Sequence, residues 1–199
     1  MAKYLSASAL DGGLSYIKAN AVSMLLLKTY AFGDSYATVV GNALATQTMA
    51  TGDFTLGTSG NNRTLTTGSK TPTASASSNQ YDSGTATVSG SSTSALGDTS
   101  KSWATNVHAN RAVVITGGTG AGQFGRVASN TSTVLTLSDT WAVAPDATST
   151  YRISDDLHVA FTDGSTSVIW VTDESSNQVI TSGNTLTIPA QTLTANQPT

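Results

Sequence analysis

A glycine cluster follows an apolar run in the middle of the chain. Residues 112–126 read AVVITGGTGAGQFGR, in which residues 120–125 have the spacing G-x-G-x-x-G, and Asp139 lies downstream. This pattern matches the fingerprint of a dinucleotide-binding loop. The fingerprint requires a helix to begin at the glycines, because the N–H groups and dipole of that helix hold the pyrophosphate. Residues 126–138 are instead rich in β-branched residues, Asn and Ser, so we predict a glycine-rich hairpin loop without a bound nucleotide.

The chain has two histidines, His108 and His158. His158 follows the acidic pair Asp155-Asp156, and imidazole and carboxylate groups together can ligate a metal. Apolar residues at 157, 159 and 161 alternate with it, and successive side chains of a strand point to opposite faces. We therefore predict that His158 is a solvent-facing strand residue and that the chain has no metal ligand.

Two acidic pairs, Asp155-Asp156 and Asp173-Glu174, could serve acid-base chemistry or Ca²⁺ binding. Neighbouring residues on a strand diverge, and no 12-residue EF loop is present, so we predict solvated turns at both pairs. The chain is rich in Ser, but no G-x-S-x-G elbow marks a nucleophile. We accordingly predict no catalytic residue, no cofactor-binding residue and no enzymatic activity.

Aromatic residues could support a different function, the binding of carbohydrate. Four tyrosines are not obvious core residues, and exposed rings can stack on sugars; they are Tyr4, Tyr30, Tyr36 and Tyr81.

The amino-acid composition of the chain limits the classes of partner to be expected. Of 199 residues only 11% are charged, against about 25% in an average domain, and Ser, Thr, Gly, Asn and Ala take their place. The net charge is -3 and the nine Lys and Arg are scattered, so we do not expect a nucleic-acid partner. No run approaches the ~18 apolar residues of a membrane span, and the first residues lack the features of a signal peptide. The absence of cysteine excludes disulfides.

The elements that must position these residues are mostly strands. Leu10, Leu14 and Ile17 have helical spacing and predict a helix over Ser8–Asn20, capped by Ser8 and ended by Asn20. The other predictions are a strand over 21–30, a weaker β or irregular segment over 36–45, a hairpin or loop around 60–62, strands flanking Asp163-Gly164, and an extended tail over 190–199.

The middle of the chain behaves as a separate folding unit. Short strands spaced by turns over residues 96–153 predict a small barrel or sandwich whose core aromatics are Trp103, Phe124, Trp141 and Tyr151. The Ser- and Gly-rich segment at 84–94 is interpreted as the junction. We therefore predict a mainly β protein: a host β domain of residues 1–83, with its helix at 8–20, and 154–199, with a small β module at 84–153 inserted into it.

Three motifs within residues 98–153 are similar to those of a small β module in structural proteins of tailed bacteriophages. They are the D-T-x-K-x-W opening at Asp98–Trp103, the I-T-x-G-x-G-A-G-Q glycine hairpin at 115–123 and the P-D-A-T-S-T-Y ending at 145–151. The flanks also resemble small phage virion proteins, through L-D-x-x-L-x-x-I-x-x-N from Leu10 to Asn20 and S-G-N-T-L-T-I-P at 182–189.

The resemblance implies a virion protein assembled in the host cytoplasm. It favours a head decoration (cement) protein whose host domain binds the major capsid protein, or another virion protein, while the inserted module projects. It also implies a homo-oligomer, with trimers common among such proteins. A tail or baseplate component and a carbohydrate-binding receptor module are the alternatives. Residues 1–8 and 190–199 are expected to contact the partner.

Overall fold

The computed structural model describes residues 3–198, and within them the chain is mainly antiparallel β-sheet. The predicted mainly β fold class is therefore confirmed. The helices and strands, in chain order, are α1 (Ala7–Asn20), β1 (Ser23–Leu27), α2 (Tyr36–Gly41), β2 (Ala43–Thr48), β3 (Phe54–Ser59), β4 (Asn62–Thr67), β5 (Gln80–Thr85), β6 (Thr87–Ser92), β7 (Ala95–Gly97), β8 (Ala112–Gly117), β9 (Phe124–Asn130), β10 (Val134–Leu137), β11 (Thr150–Ser154), β12 (His158–Thr162), β13 (Val168–Asp173) and β14 (Thr192–Ala195).

The chain divides into two compact units. The first comprises the residues up to Ser77, His158–Ser175 and those from Ile180 onward, and the second comprises Ser78–Leu157 and Ser176–Val179. The predicted limits at 84 and 153 therefore lie inside the second unit. The junction predicted at 84–94 is wrong, because β5 and β6 occupy that segment and β5 pairs with β11.

The first unit is built on a four-stranded sheet in the order β13-β12-β1-β2. Strand β1 is apolar after Ser23, and Met24, Leu26 and Leu27 are completely buried. An interior strand with both faces covered needs such a continuous apolar run. The strand is shorter than the predicted 21–30, since Val22 is already exposed.

Helix α1 buries the three predicted residues, Leu10, Leu14 and Ile17. The predicted cap is wrong, because Ser6 and not Ser8 caps the helix: the Ser6 Oγ accepts the N–H of Ala9 at 3.2 Å. The predicted last residue, Asn20, is confirmed, and the backbone becomes extended at Ala21.

A three-stranded sheet in the order β14-β4-β3 completes the first unit. The predicted hairpin is confirmed, with β3 and β4 in unbroken register on either side of Gly60-Asn61. The predicted free tail at 190–199 is wrong, because β14 pairs with β4 from Thr192↔Thr66 to Ala195↔Arg63. The segment predicted as weak β at 36–45 is also corrected, because its first part is the helix α2.

The second unit is a barrel closed by one bent segment of chain. Its seven strands follow the order β5-β11-β8-β9-β10-β7-β6, so the two edge strands, β5 and β6, are consecutive in sequence and separated by Ala86 alone. A sheet whose two edges belong to one extended segment must curl round on itself. Ala86 is buried at the bend, and its N–H donates to the Ser149 carbonyl at 2.8 Å.

The barrel interior is filled by inward-facing residues of these strands, among them Leu96, Ile115, Leu135 and Tyr151. Trp141 is buried and Trp103 packs against this core, as predicted. The prediction for Phe124 is wrong, since its side chain is 39% exposed. The alternation of β9 turns Gly125 and Val127 inward and therefore Phe124 outward.

Candidate functional site

The glycine loop between β8 and β9 is a turn, as the composition of residues 126–138 predicts. Gly118, Gly120 and Gly122 all have positive φ, and β9 starts at Phe124 where a nucleotide fingerprint requires a helix. The N–H groups of Ala121, Gly122 and Gln123 donate to the carbonyls of Gly118, Ile115 and Gly120. The backbone donors that a phosphate would use are thus directed to the loop itself.

Side chains of the 145–151 motif fasten this loop from the other side. The Thr119 hydroxyl donates to Asp146 Oδ2 at 2.8 Å, and the Ser149 hydroxyl donates to the Thr119 carbonyl at 2.7 Å. Hydrogen bonds from the side chain and backbone of Thr148, and from Thr119, lower the pKa of Asp146. Two motifs that are distant in sequence therefore form one corner of the barrel.

The third motif begins with Asp98, which is buried in the barrel. Its carboxylate accepts the N–H and the hydroxyl of Ser100, at 3.0 and 2.6 Å, and the phenol of Tyr151 at 2.8 Å. Burial by itself would raise the pKa of Asp98, but the bonds from Ser100 and Tyr151 outweigh it and the pKa is lowered. Burial and the Asp98 carboxylate together raise the pKa of Tyr151, so the phenol stays protonated.

The Lys and Trp of the same motif converge on Asp82 of β5. Lys101 Nζ lies 2.9 Å from Asp82 Oδ1, and Trp103 Nε1 donates to Asp82 Oδ2 at 2.6 Å. Burial by itself would raise the pKa of Asp82, but the bonds from Lys101 and Trp103 outweigh it and the pKa is lowered. The D-T-S-K-S-W motif consequently ties one loop to β5 and β11.

A second polar cluster of the barrel contains His108, Arg111, Tyr81 and Asp155. The Arg111 guanidinium lies 3.4 Å above the centre of the Tyr81 ring, and the Tyr81 hydroxyl donates to Asp155 Oδ1 at 2.7 Å. Arg111 Nη1 is 2.9 Å from His108 Nδ1. Since a guanidinium can only donate, His108 Nδ1 is the acceptor and the imidazole is neutral. Burial, and then the charge of Arg111, lower the pKa of His108.

The predicted solvated turn at Asp155-Asp156 is wrong, because both residues are buried. Asp155 accepts the N–H of Asn79 at 2.7 Å as well as the Tyr81 phenol, and Asp156 lies 3.4 Å from Arg126 Nε. Alternation alone could not reveal these partners, since Asn79, Tyr81 and Arg126 come from other strands and loops of the barrel.

The predicted exposure of His158 is also wrong. His158 is only 4% exposed, because β12 is an interior strand and all five of its residues are buried. Its Nε2 lies 3.3 Å from Asp173 Oδ1, whereas Asp173 itself is exposed and its neighbour Glu174 is buried. Within residues 3–198, no group of three or more His, Asp or Glu side chains is arranged to hold a metal ion.

A polar groove of about 480 Å³ lies in the first unit beside both ends of the described chain. It is lined by Lys3, Tyr4, Ala7, Thr58, Asn61, Asn62, Arg63, Gln197 and Pro198. Gln197 joins the ends, since its side-chain oxygen accepts the N–H of Leu5 at 2.9 Å and its amide donates to the Leu5 carbonyl at 2.8 Å. Tyr4 is exposed in this groove, in agreement with the prediction that it is not a core residue.

Phe32 is presented on a tight turn between β1 and α2. Its side chain is fully exposed, with a relative exposure of 102%. Asp34 closes the turn, because its N–H donates to the Ala31 carbonyl and its Oδ2 accepts the Ala31 N–H, both at 2.9 Å. Sequence reasoning did not single out Phe32, although the A-F-G-D sequence is a turn signal that leaves the aromatic residue at the corner.

No family model matches the chain, and neither a curated protein nor a solved structure matches it. In the part of the chain that the structure describes, neither helix has the length and apolar character needed to cross a membrane.

Two features of these arrangements define the candidate functional surfaces. The carboxylates of Asp82, Asp98 and Asp146 accept several internal hydrogen bonds each. Among the large apolar and aromatic side chains, Phe32 and Tyr4 are the most exposed in residues 3–198. The candidate functional surfaces are therefore the Phe32 turn and the polar groove.

Proposed function

We propose that this protein is a structural component of a tailed-bacteriophage virion, and specifically a head decoration protein that binds the outside of the capsid lattice. It would reinforce the shell by burying seams between capsid subunits, so that internal pressure must break additional interfaces. In this proposal the protein acts by adhesion and is not an enzyme.

The observation that carries the proposal is where the three motif segments of the phage resemblance lie in the structure. Asp98, Lys101 and Trp103 tie one loop to β5 and β11, while Thr119 and Asp146 tie the glycine turn to the loop that precedes β11. The motif residues thus form hydrogen bonds that hold the parts of one barrel together. This supports interpreting the resemblance as a likeness of module and not as a chance similarity of letters.

The outer surface supports an adhesive role. The chain is 11% charged, and its exposed large apolar residues include Phe32, Tyr4 and Val88, with Val88 70% exposed on β6. Hydroxyl and apolar groups cost less to desolvate against another protein than charged groups do.

The test is the location and copy number of the protein in purified virions. A decoration protein is expected in hundreds of copies on the head, and labelling with a specific antibody should mark the capsid surface. A handful of copies at the tail would favour the tail or baseplate alternative. Complete absence from the particle would overturn both.

The polar groove favours a second candidate, a carbohydrate-binding receptor module. Tyr4 offers an exposed ring beside the side chains of Asn61 and Asn62, and aromatic stacking with amide hydrogen bonds is a common way to bind sugars. Binding of host surface glycans by the purified protein, lost in Tyr4→Ala and retained in Tyr16→Ala, would support this candidate. Equal loss or retention in both variants would reject it.

A further inference from the structure

Phe32 has an exposed area larger than any other large apolar side chain in residues 3–198, relative to its size. Burying such a side chain is favourable, yet single exposed apolar residues are common on protein surfaces. Exposure alone therefore assigns no role to Phe32. The way in which the backbone holds it is more informative.

The turn that carries Phe32 is closed twice. The bond from the Asp34 N–H to the Ala31 carbonyl defines a four-residue β-turn, and Gly33 at its third position has φ +92°. This is the type II geometry, which requires a positive φ at that position. The Asp34 carboxylate then accepts the Ala31 N–H, so both bonds join the same two residues on either side of Phe32.

Both ends of the turn are anchored in the first unit. On the N-terminal side, Tyr30 packs against the cluster that contains Leu25 and Leu27. On the C-terminal side, the Ser35 hydroxyl accepts the Thr38 N–H at 3.2 Å and caps α2, whose Val39 is completely buried. The ring is thus presented by a preorganised backbone, and a contact made through it costs little ordering entropy.

The chain segment that follows Lys28 and carries Phe32 holds few charges. From Thr29 to Thr48 the only charged residue is Asp34, whose carboxylate is engaged in the turn. On the following helix, Val40 is 43% exposed. A neutral segment with a projecting ring is complementary to an apolar pocket rimmed by neutral groups, and not to a basic or acidic surface.

We infer that Phe32 is the anchor residue through which the first unit docks into an apolar pocket of the capsid-lattice protein. This inference rests on the proposed function and names the contact by which it would operate. The neutral segment that carries Phe32 suits an apolar pocket of that partner, and docking of Phe32 onto a second copy of this chain is the outcome that a self-association measurement would reveal. Buried aromatic residues at the centre of an interface commonly supply a large part of its binding energy.

The experiment uses phage particles assembled without this chain and measures binding of the added full-length protein by co-sedimentation. We expect Phe32→Ala to weaken binding about 30-fold or more, the scale of an interface hot spot. Tyr16→Ala is the matched control, because Tyr16 is 60% exposed on α1 of the same unit, and its binding should equal that of the wild type. Raising the salt concentration should change the wild-type affinity by less than about threefold, since the docking segment carries a single engaged charge.

The outcomes separate the inference from the proposed function. If the wild type does not bind the particles, both are overturned. If the wild type binds and Phe32→Ala binds equally well, only the inference is overturned. It is also overturned if Phe32→Ala leaves particle binding unchanged but abolishes self-association in sedimentation analysis. The same holds if Phe32→Ala leaves particle binding unchanged but abolishes binding to vesicles of phosphatidylglycerol and phosphatidylcholine. Because Phe32 makes no core contact, an unchanged circular dichroism spectrum and melting temperature will show that the variant is folded.

Discussion

His108 is buried beside a guanidinium, so protonation of this imidazole destabilises the folded second unit. Burial and the charge of Arg111 lower its pKa, and a protonated Nδ1 could not accept the bond from Arg111. The Asp82 carboxylate raises the pKa of His108 and the Lys101 ammonium lowers it. The resulting pKa lies below the ordinary value of 6.5. Between this lowered pKa and about 6.5, the unfolded chain therefore binds up to one proton more than the folded chain.

We accordingly predict that the second unit loses stability as the pH falls below 6.5 and through the lowered pKa of His108. The slope should approach, and not exceed, about 1.4 kcal/mol per pH unit from this residue. Urea unfolding of wild type and His108→Gln between pH 7.5 and 5 measures it. The stability difference between the two proteins should shrink as the pH is lowered, and a constant difference would show that His108 does not titrate on unfolding.

Single-residue predictions failed where strands have two covered faces. The alternation around His158 is real, but it indicates a wet face only if one side of the strand meets solvent, and β12 is an interior strand. Asp155 and Asp98 are buried acids whose partners, Tyr81 and Tyr151, lie far away in sequence. Their burial follows from the topology of the barrel, which local sequence patterns do not contain.

At the scale of elements, the turn between β8 and β9 depends on one glycine more than on the others. A Cβ on Gly118 would lie 1.9 Å from the Thr148 carbonyl oxygen, whereas a Cβ on Gly122 would meet nothing within 4 Å. Both residues have positive φ, at +72° and +89°, so alanine pays a similar backbone penalty at either position.

We predict that Gly118→Ala destabilises the barrel by about 1–3 kcal/mol more than Gly122→Ala, because the corner against residues 145–151 must open to admit the methyl group. Thermal or urea unfolding of the two variants side by side provides the measurement, with Gly122→Ala as the control for backbone strain. Equal destabilisation would mean that the close approach of Thr148 is not needed for the fold.

The sequence predicted this turn because glycine density and β-branched neighbours agree, and the Asp163-Gly164 hairpin between β12 and β13 for a similar reason. It did not predict α2, whose Thr38, Val39 and Val40 are typical of strands, because the helix depends on the Ser35 cap and on the burial of Val39. It also missed β14, a Thr-rich strand that is formed by pairing with β4.

At the scale of the whole molecule, the closure of the barrel and the pairing of the chain ends are long-range events. Ala86 separates two strands that lie at opposite edges of one sheet, and a Ser- and Gly-rich segment of this kind resembles a linker when it is examined locally. The division into a host unit and an inserted unit could be predicted from the change of composition. Its limits could not, because they depend on which strands pair.

The C-terminal segment distinguishes attachment from folding. A chain that ends at Pro189 lacks β14, which pairs with β4 and places Leu193 opposite Leu65, so we predict that the first unit loses more than about 3 kcal/mol of stability. A chain that ends at Ala195 keeps β14 and loses the Gln197 hydrogen bonds to Leu5 and Asn62, each worth about 1 kcal/mol. Urea unfolding of both truncations, followed by their occupancy on particles, measures the two effects.

If residues 196–199 contact the partner, the chain that ends at Ala195 will be folded but will bind weakly. Full occupancy by that chain would assign attachment to other parts of the unit. Loss of folding in that same truncation would instead show that the Gln197 link between the chain ends is essential to the first unit.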